Sequence, residues 1–334
     1  MSLPEPSWPP GPAPGAKVLS LDAAQRAVAA APAPRILAIG GGKGGIGKSL
    51  VATSLALEYV RRGQRVVLVD CDLGGANLHT LLGMACPRET LSDFIQRRVE
   101  QLADLAVPTP LPQLRLISSA RNSIQAANLM HQQKMRLIRA VRRLDADLVI
   151  IDLGAGTHYN VVDFFLLAHH GLLVVVPEPT SVENAYRFLK AAFLRKVKAV
   201  DFAEGLKGLV RDALKEREHR AMSPVELIEV VSARSPGAGA ALREQLAAFR
   251  PLLLVNQVRE PADAMLGEGM CLAARKLFGL EMTYLGHLRH SEHIWRTMRA
   301  TRRPFIEQRG TPFASDLAAL ARRLDGVEAA AGVP

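Results

Sequence analysis

Apolar positions along the chain fall into short uninterrupted runs, separated by stretches in which they recur every three or four residues. Residues 35–39 form the first run and end in glycines, and residues 49–62 follow with helical spacing. Residues 65–70, 114–118, 147–152, 171–177, 252–256 and 282–285 repeat the run pattern. Helical segments lie between most of them, as at 132–144 and 182–195. A strand buried on both faces reads as a continuous apolar run, and strands alternating with helices build a parallel sheet covered on both sides. The expected fold is therefore α/β, a mostly parallel twisted sheet flanked by helices. Ligands in such sheets bind outside the carboxyl ends of the strands.

Three segments break the alternation. Residues 1–34 read as a Pro/Ala-rich tail, disordered over 1–17, with a short helix at 19–31 stopped by Pro32 and Pro34. Residues 196–250 are charged and mostly helical, interrupted at 235–239, and read as a helical insertion between two strands. Residues 325–334 are short and Ala-rich and read as a disordered end, which leaves 35–324 as the ordered domain.

Composition narrows the function classes. With 49% hydrophobic residues in 334, the chain has enough apolar material for a large core, and a charge of 42 − 32 = +10 directs attention to anionic partners. Aromatics at 5% argue against base-stacking platforms. The three cysteines, Cys71, Cys86 and Cys271, are scattered, which excludes a disulfide framework or zinc module and fits a reducing compartment. No apolar run approaches the roughly 20 residues of a membrane span, and the N-terminus lacks the basic-then-apolar order of a signal peptide. A cytoplasmic location is expected.

The chemistry concentrates where the first run meets the first helix. Residues 40–49 read GGGKGGIGKS, and Gly42, Gly47, Lys48 and Ser49 satisfy G-x-x-x-x-G-K-[ST]. Glycines let backbone N–H groups turn inward as an anion nest, and the helix N-terminus adds partial positive charge. Lys48 has the reach for β- and γ-phosphate oxygens, and the Ser49 hydroxyl can ligate Mg²⁺. Gly40, Gly42 and Gly45 also fit the dinucleotide fingerprint, with Asp70 where a ribose-binding acid would stand. A hydride-transfer enzyme, however, has no need of Lys48 and Ser49 followed by a strand-end Asp152. That alternative predicts NAD binding that survives Lys48→Ala.

A second lysine, Lys43, is the signature of deviant Walker A loops, and the chain resembles the MinD/ParA family of P-loop ATPases. The resemblance implies ATP and Mg²⁺ as ligands, weak hydrolysis stimulated by an activating protein partner, and an ATP-dependent homodimer in which Lys43 reaches the partner's phosphates. A cation supplied in trans stabilises phosphoryl charge as an arginine finger does. It also implies that Gly44, Gly45, Ile46 and Leu50 join Gly42, Lys43, Gly47, Lys48 and Ser49 around the nucleotide. Residues 67–77, VLVDCDLGGAN, resemble the family's second strand and switch I. By position, Asp72 would orient the attacking water, Asp70 would support the Mg²⁺ shell and Asn77 would line the switch. Residues 147–156, DLVIIDLGAG, resemble Walker B with switch II. There Asp152 would hold Mg²⁺ through water while Gly154 and Gly156 permit movement. Residues 177–186 look most like the FlhG (FleN) branch, which numbers flagella. Residues 253–258 match the strand whose asparagine, here Asn256, recognises adenine, and 284–286 and 302–305 match the branch's closing pattern.

The implied output is spatial: control of the position or number of a flagellum, a division site or a chromosome. Three departures bear on it. The end of the chain has no basic–apolar face of the kind that anchors relatives to a membrane. The N-terminal motif of the branch survives at best as Asp22, Gln25 and Arg26. The insertion has no assigned counterpart. Residues 190–220 carry nine Lys/Arg against five Asp/Glu, and 289–309 carry six against two. Both are candidate contacts for DNA phosphates, as in a partition ATPase. Inner membrane and nucleoid thus both stand as surfaces, and a scaffold that uses ATP only for structure is the remaining alternative.

Overall fold

The computed structural model describes residues 33–73, 75–119, 129–199, 208–210, 212–213, 223–294, 296 and 310–330. The predicted tail up to residue 32, Gly74, most of 200–222, the matched stretch 302–305 and residues 331–334 lie outside them.

Elements follow in the order β1 (Arg35–Gly40), α1 (Lys48–Arg61), β2 (Val66–Cys71), α2 (Leu78–Leu81), α3 (Leu91–Ile95), a 3₁₀ turn (Leu102–Leu105), β3 (Val107–Pro108) and β4 (Leu114–Ile117). Next come α4 (His131–Val141), β5 (Leu148–Leu153), α5 (Tyr159–Leu167), β6 (His170–Val175), α6 (Pro179–Ala199), α7 (Pro224–Arg234) and α8 (Pro236–Ala247). The chain closes with β7 (Leu252–Val258), α9 (Pro261–Phe278), β8 (Thr283–Arg289) and α10 (Pro312–Ala330). The eight strands form one sheet in the order β3-β4-β2-β5-β1-β6-β7-β8, parallel except at β3. The seven other strands coincide with the apolar runs. β3 escapes sequence reading because two residues, one of them proline, carry no periodicity.

Strand alternation sorts the sheet into two apolar layers. Leu68 of β2, Ile150 of β5 and Leu254 of β7 face the layer holding α1 and α10. Val69, Ile151 and Val255 face the layer that includes α5 and α6. Side chains two residues apart on a strand share a face, so Asp70, Asp152 and Asn256 all point to the α1 side. Cys71 falls on the opposite side.

The insertion is helical where it is described, and its sequence break is a double cap. Ser235 ends α7 and then accepts the Ala238 N–H at 3.3 Å as N-cap of α8, with Pro236 in the first helical turn. The other end of α7 has a capping box, in which Ser223 and Glu226 exchange hydrogen bonds at 3.2 and 2.8 Å.

The C-terminus corrects the sequence reading. Residues 325–330, expected to be disordered, continue α10, because their side chains are tied to the start of the sheet. Arg35 ion-pairs with Glu328, which is only 3% exposed, and lies 3.6 Å from Asp325. Tyr59 donates to Asp325 at 2.9 Å, between guanidiniums of Arg35 and Arg62 that each sit 5.5 Å from its ring centre. Burial raises the Glu328 carboxyl above its usual range, and Arg35 opposes the rise. Removing one partner of a buried pair strands the other charge. Arg35→Ala is therefore expected to cost about 3 kcal/mol in urea unfolding. The double variant Arg35→Met/Glu328→Leu should recover most of that loss.

Candidate functional site

The glycines of the 40–49 loop answer two different demands. A side chain at Gly42 would begin 2.2 Å from the Asn184 carbonyl oxygen of α6, so the loop lies against that helix's backbone. Gly47 caps α1 at φ 85°, a left-handed conformation that side chains disfavour. Behind it Asn256, 2% exposed, donates to the Ile46 carbonyl at 2.8 Å and holds the loop to β7. The resemblance implies a contact of Asn256 to adenine; the bond in the structure fixes the loop's shape.

The two lysines of the loop occupy different surroundings. Lys48 is buried and curls across the loop mouth to donate to the Lys43 carbonyl at 3.3 Å. Burial lowers its pKa, against the opposing pull of Asp152 and Asp72. Lys43 points away from the loop, ion-paired with Glu178 at 2.6 Å and donating to Thr180 at 3.0 Å near the start of α6. The 177–186 segment gives no local signal of a role for Thr180. Ser119 and Asn184 were likewise missed. The proline-flanked acid directly after a strand was the available signal for Glu178.

Opposite the loop stand three carboxylates. Asp70 and Asp152 are register partners on adjacent strands, about 4.8 Å apart at the backbone. Asp70 accepts the N–H groups of Leu78 at 3.2 Å and Asp72 at 3.1 Å, so it pins both ends of the 72–78 segment. Ser119 donates to the Asp72 carbonyl at 3.3 Å and braces the same segment. Burial pushes the Asp70 carboxyl up to about 7, against the lowering effect of those N–H bonds. Asp152 also rises to about 7, through burial first, with a hydrogen bond from Ser49 pulling the other way. Its Oδ1 is buried and has no hydrogen-bond partner among the described residues. Asp72 lies beside Gly154, its Oδ1 3.1 Å from where a side chain there would begin, which brings the 72–78 and 153–158 segments into contact. Gly156, at φ 95°, turns the chain from β5 into α5. Asn77 is exposed and starts α2, its carbonyl accepting the Thr80 and Leu81 N–H groups.

The donor set fits a divalent cation. Asp72 and Asp152 act on the one buried ammonium of Lys48, and Ser49 hydrogen-bonds the Asp152 carboxyl, whose Oδ1 has no partner among the described residues. No group of three His, Cys, Asp or Glu among the described residues forms a protein-only cage. Mg²⁺ needs none, since it ordinarily keeps waters and takes one or two protein oxygens plus substrate phosphates.

A phosphate loop with a second lysine, backed by paired strand-end aspartates, is matched by a family model described as ParA: NUBPL iron-transfer P-loop NTPase, over residues 33–220. The chain belongs to the ParA/MinD family of P-loop NTPases. Within it, the antiactivator FleN of Pseudomonas aeruginosa is 39% identical over 158 residues, 47% of this chain and 55% of FleN. A putative septum site-determining protein MinD of Chlorella vulgaris is 30% identical over 46% of this chain and 54% of its own length. The chain thus spans about half the length of these curated relatives. Among solved structures, the septum site-determining protein MinD of Pyrococcus horikoshii, complexed with Mg-ADP, aligns with a TM-score of 0.59 at 19% identity, covering 88% of this chain and 97% of that one. A ParA family ATPase of Chlorobium tepidum gives 0.58 at 16% identity, over 87% and 99%. At those identities the likeness establishes the family fold, with its mostly parallel sheet.

The basic stretches are partly occupied by structural tasks. Arg195 grips Asp163 at 2.6 and 2.8 Å, Lys196 lies 5.8 Å from the Phe249 ring centre, and Arg289 is bound to Asp316 at 2.7 and 2.8 Å. No helix among the described residues is long and apolar enough to cross a membrane.

Proposed function

We propose that this chain is a Mg²⁺-dependent ATPase switch that dimerises with ATP, separates after hydrolysis, and uses the cycle to control the position or number of a cellular structure. The observation that carries the reading is the division of labour between two lysines of one loop. Lys48 is buried among the carboxylates, whereas Lys43 is held outside by Glu178 and Thr180, as a group awaiting another molecule's phosphates would be.

In this reading the loop N–H groups and Lys48 bind the β- and γ-phosphates, and Asn256 meets the base while keeping the loop shaped. Ser49 and Asp152 would hold Mg²⁺, with Asp70 in support; the ion would supply charge neutralisation for the phosphates. Asp72 orients the attacking water, and its position beside Gly154 lets one γ-phosphate order both switch segments. Lys43 leaves Glu178 and crosses to the partner. An activating protein partner sets the rate. The names of the antiactivator FleN and septum-site MinD relatives support a spatial output. The DNA-holding alternative retains fewer free cations, because Arg195, Lys196 and Arg289 are engaged within the fold.

Light scattering coupled to size exclusion tests the core of the proposal. Wild type is expected to double in mass with Mg²⁺-ATP and to be monomeric with ADP. Lys43→Ala should bind ATP and stay monomeric. A wild-type mass that ignores nucleotide would sink the switch and leave the scaffold reading.

A further inference from the structure

The phosphate site leaves unused the flank of the sheet beyond β4. There α3 and the 3₁₀ turn form one wall, and α4 the other, of an open groove of about 1100 Å³. Arg136 ties the walls together: its guanidinium lies 4.1 Å from the Phe94 ring centre and donates to the Phe94 and Glu100 carbonyls at 2.8 and 2.9 Å. The other charges lining the groove are unequal, with Arg97 on one wall and Arg139 and Arg143 on the other, against Glu100. Arg139 lies in the last turn of α4, and Arg143 in the turn just past its end. All three arginines are exposed, and among the described residues none has an ion-pair partner. Arg139 makes one bond, to the Met135 carbonyl of its own helix at 3.2 Å. Arg97 is held at φ 61°, a conformation that side chains rarely adopt, and Met130 on the groove is 69% exposed.

We infer that this groove docks an acidic peptide segment of a partner protein, with Arg97, Arg139 and Arg143 taking its carboxylates and Met130 an apolar side chain. The charges line the two facing walls of one groove, which suits a single extended chain better than the paired phosphate ridges of a nucleic-acid duplex. The opposite face of α4 links the groove to the switch. Lys134, five residues before Arg139 and so about 140° round α4, is buried and ion-paired with Asp163 of α5. That helix directly follows the 153–158 segment. Resting on the switch reading above, a segment seated on the outer face of α4 bears through Lys134 and Asp163 on the helix behind switch II, which gives the activating partner an address.

The test is fluorescence anisotropy on the full chain, using a short labelled peptide of Glu-Leu-Asp-Glu repeats, a Lys-Leu-Arg-Lys control and a short DNA duplex. Wild type is expected to bind the acidic peptide saturably, and Arg139→Glu/Arg143→Glu to weaken it by about tenfold or more. Arg139→Gln/Arg143→Gln, which removes charge without reversing it, should give an intermediate loss. Equal binding by wild type and both variants overturns the groove as the site, as does wild type that binds no acidic peptide. A duplex that binds and is lost in these variants while the peptide is not bound reassigns the groove to nucleic acid and overturns the proposal. Nucleotide-dependent mass, measured on the same samples, separates failure here from failure of the switch. The arginine variants should still double with Mg²⁺-ATP, and peptide binding is read whether or not wild type does so.

Discussion

Asp152→Asn is expected to make the nucleotide-free protein more stable and to remove nearly all of the proposed ATP turnover. Both effects come from one buried oxygen without a partner. An ionised carboxylate at this depth is disfavoured by desolvation, which is why the group titrates near 7 instead of its usual 3.8. Asp70 beside it behaves in the same way. The sign of the pH dependence follows. Between about 4 and 7 the folded chain keeps protons that the unfolded chain has released, so stability falls as pH rises through that window and levels off above it. Glu328 is displaced in the same direction, while Asp93, Asp147 and Asp163 are displaced downward and act at lower pH. Thermal melts of the nucleotide-free wild type should therefore decline from pH 5 to 7. Asp152→Asn should flatten that decline and raise the midpoint at pH 7.5 by about 3 °C or more. ATP turnover should fall by about 100-fold or more, because the amide cannot hold Mg²⁺ as the carboxylate would. Melts that are flat in wild type, or a variant less stable at pH 7.5, would contradict the account of a buried carboxylate disfavoured in its charged form.

The second large effect is expected at Asp72. Alanine there should cut turnover by about 100-fold or more while leaving ATP binding intact, since a positioned base contributes on that scale and touches no phosphate in the proposed mechanism. The ATP-bound dimer would then accumulate instead of cycling. Single-turnover hydrolysis and light scattering on one preparation provide the check. Loss of nucleotide binding along with turnover would show that Asp72 is needed to build the loop's surroundings. The geometry argues against that outcome, because the Asp72 and Leu78 N–H groups at the two ends of the 72–78 segment both donate to Asp70.

Local signals account for what the sequence disclosed. Continuous apolar runs revealed seven of the eight strands, and the spacing of Gly42, Gly47, Lys48 and Ser49 located the phosphate loop, because each signal lies within ten residues. What stayed hidden depends on distant pairing. Lys43 meets Glu178 across 135 positions, and Asn256 reaches Ile46 across 210, so no local pattern announces either bond. Ser119 braces the Asp72 backbone from the loop after β4 for the same reason. The end of α10 was misread because its Ala-rich composition offers no apolar stripe; a buried ion pair with Arg35 holds it instead.

Helix α6 spans 21 residues, roughly 30 Å. Near one end it presents Thr180 to Lys43 and its Asn184 backbone to Gly42; near the other, Lys196 lies over Phe249 beyond the added helices. A stiff rod anchored in this way has a practical consequence for engineering. Cargo fused onto the α7–α8 hairpin would load the same shaft that seats the phosphate loop.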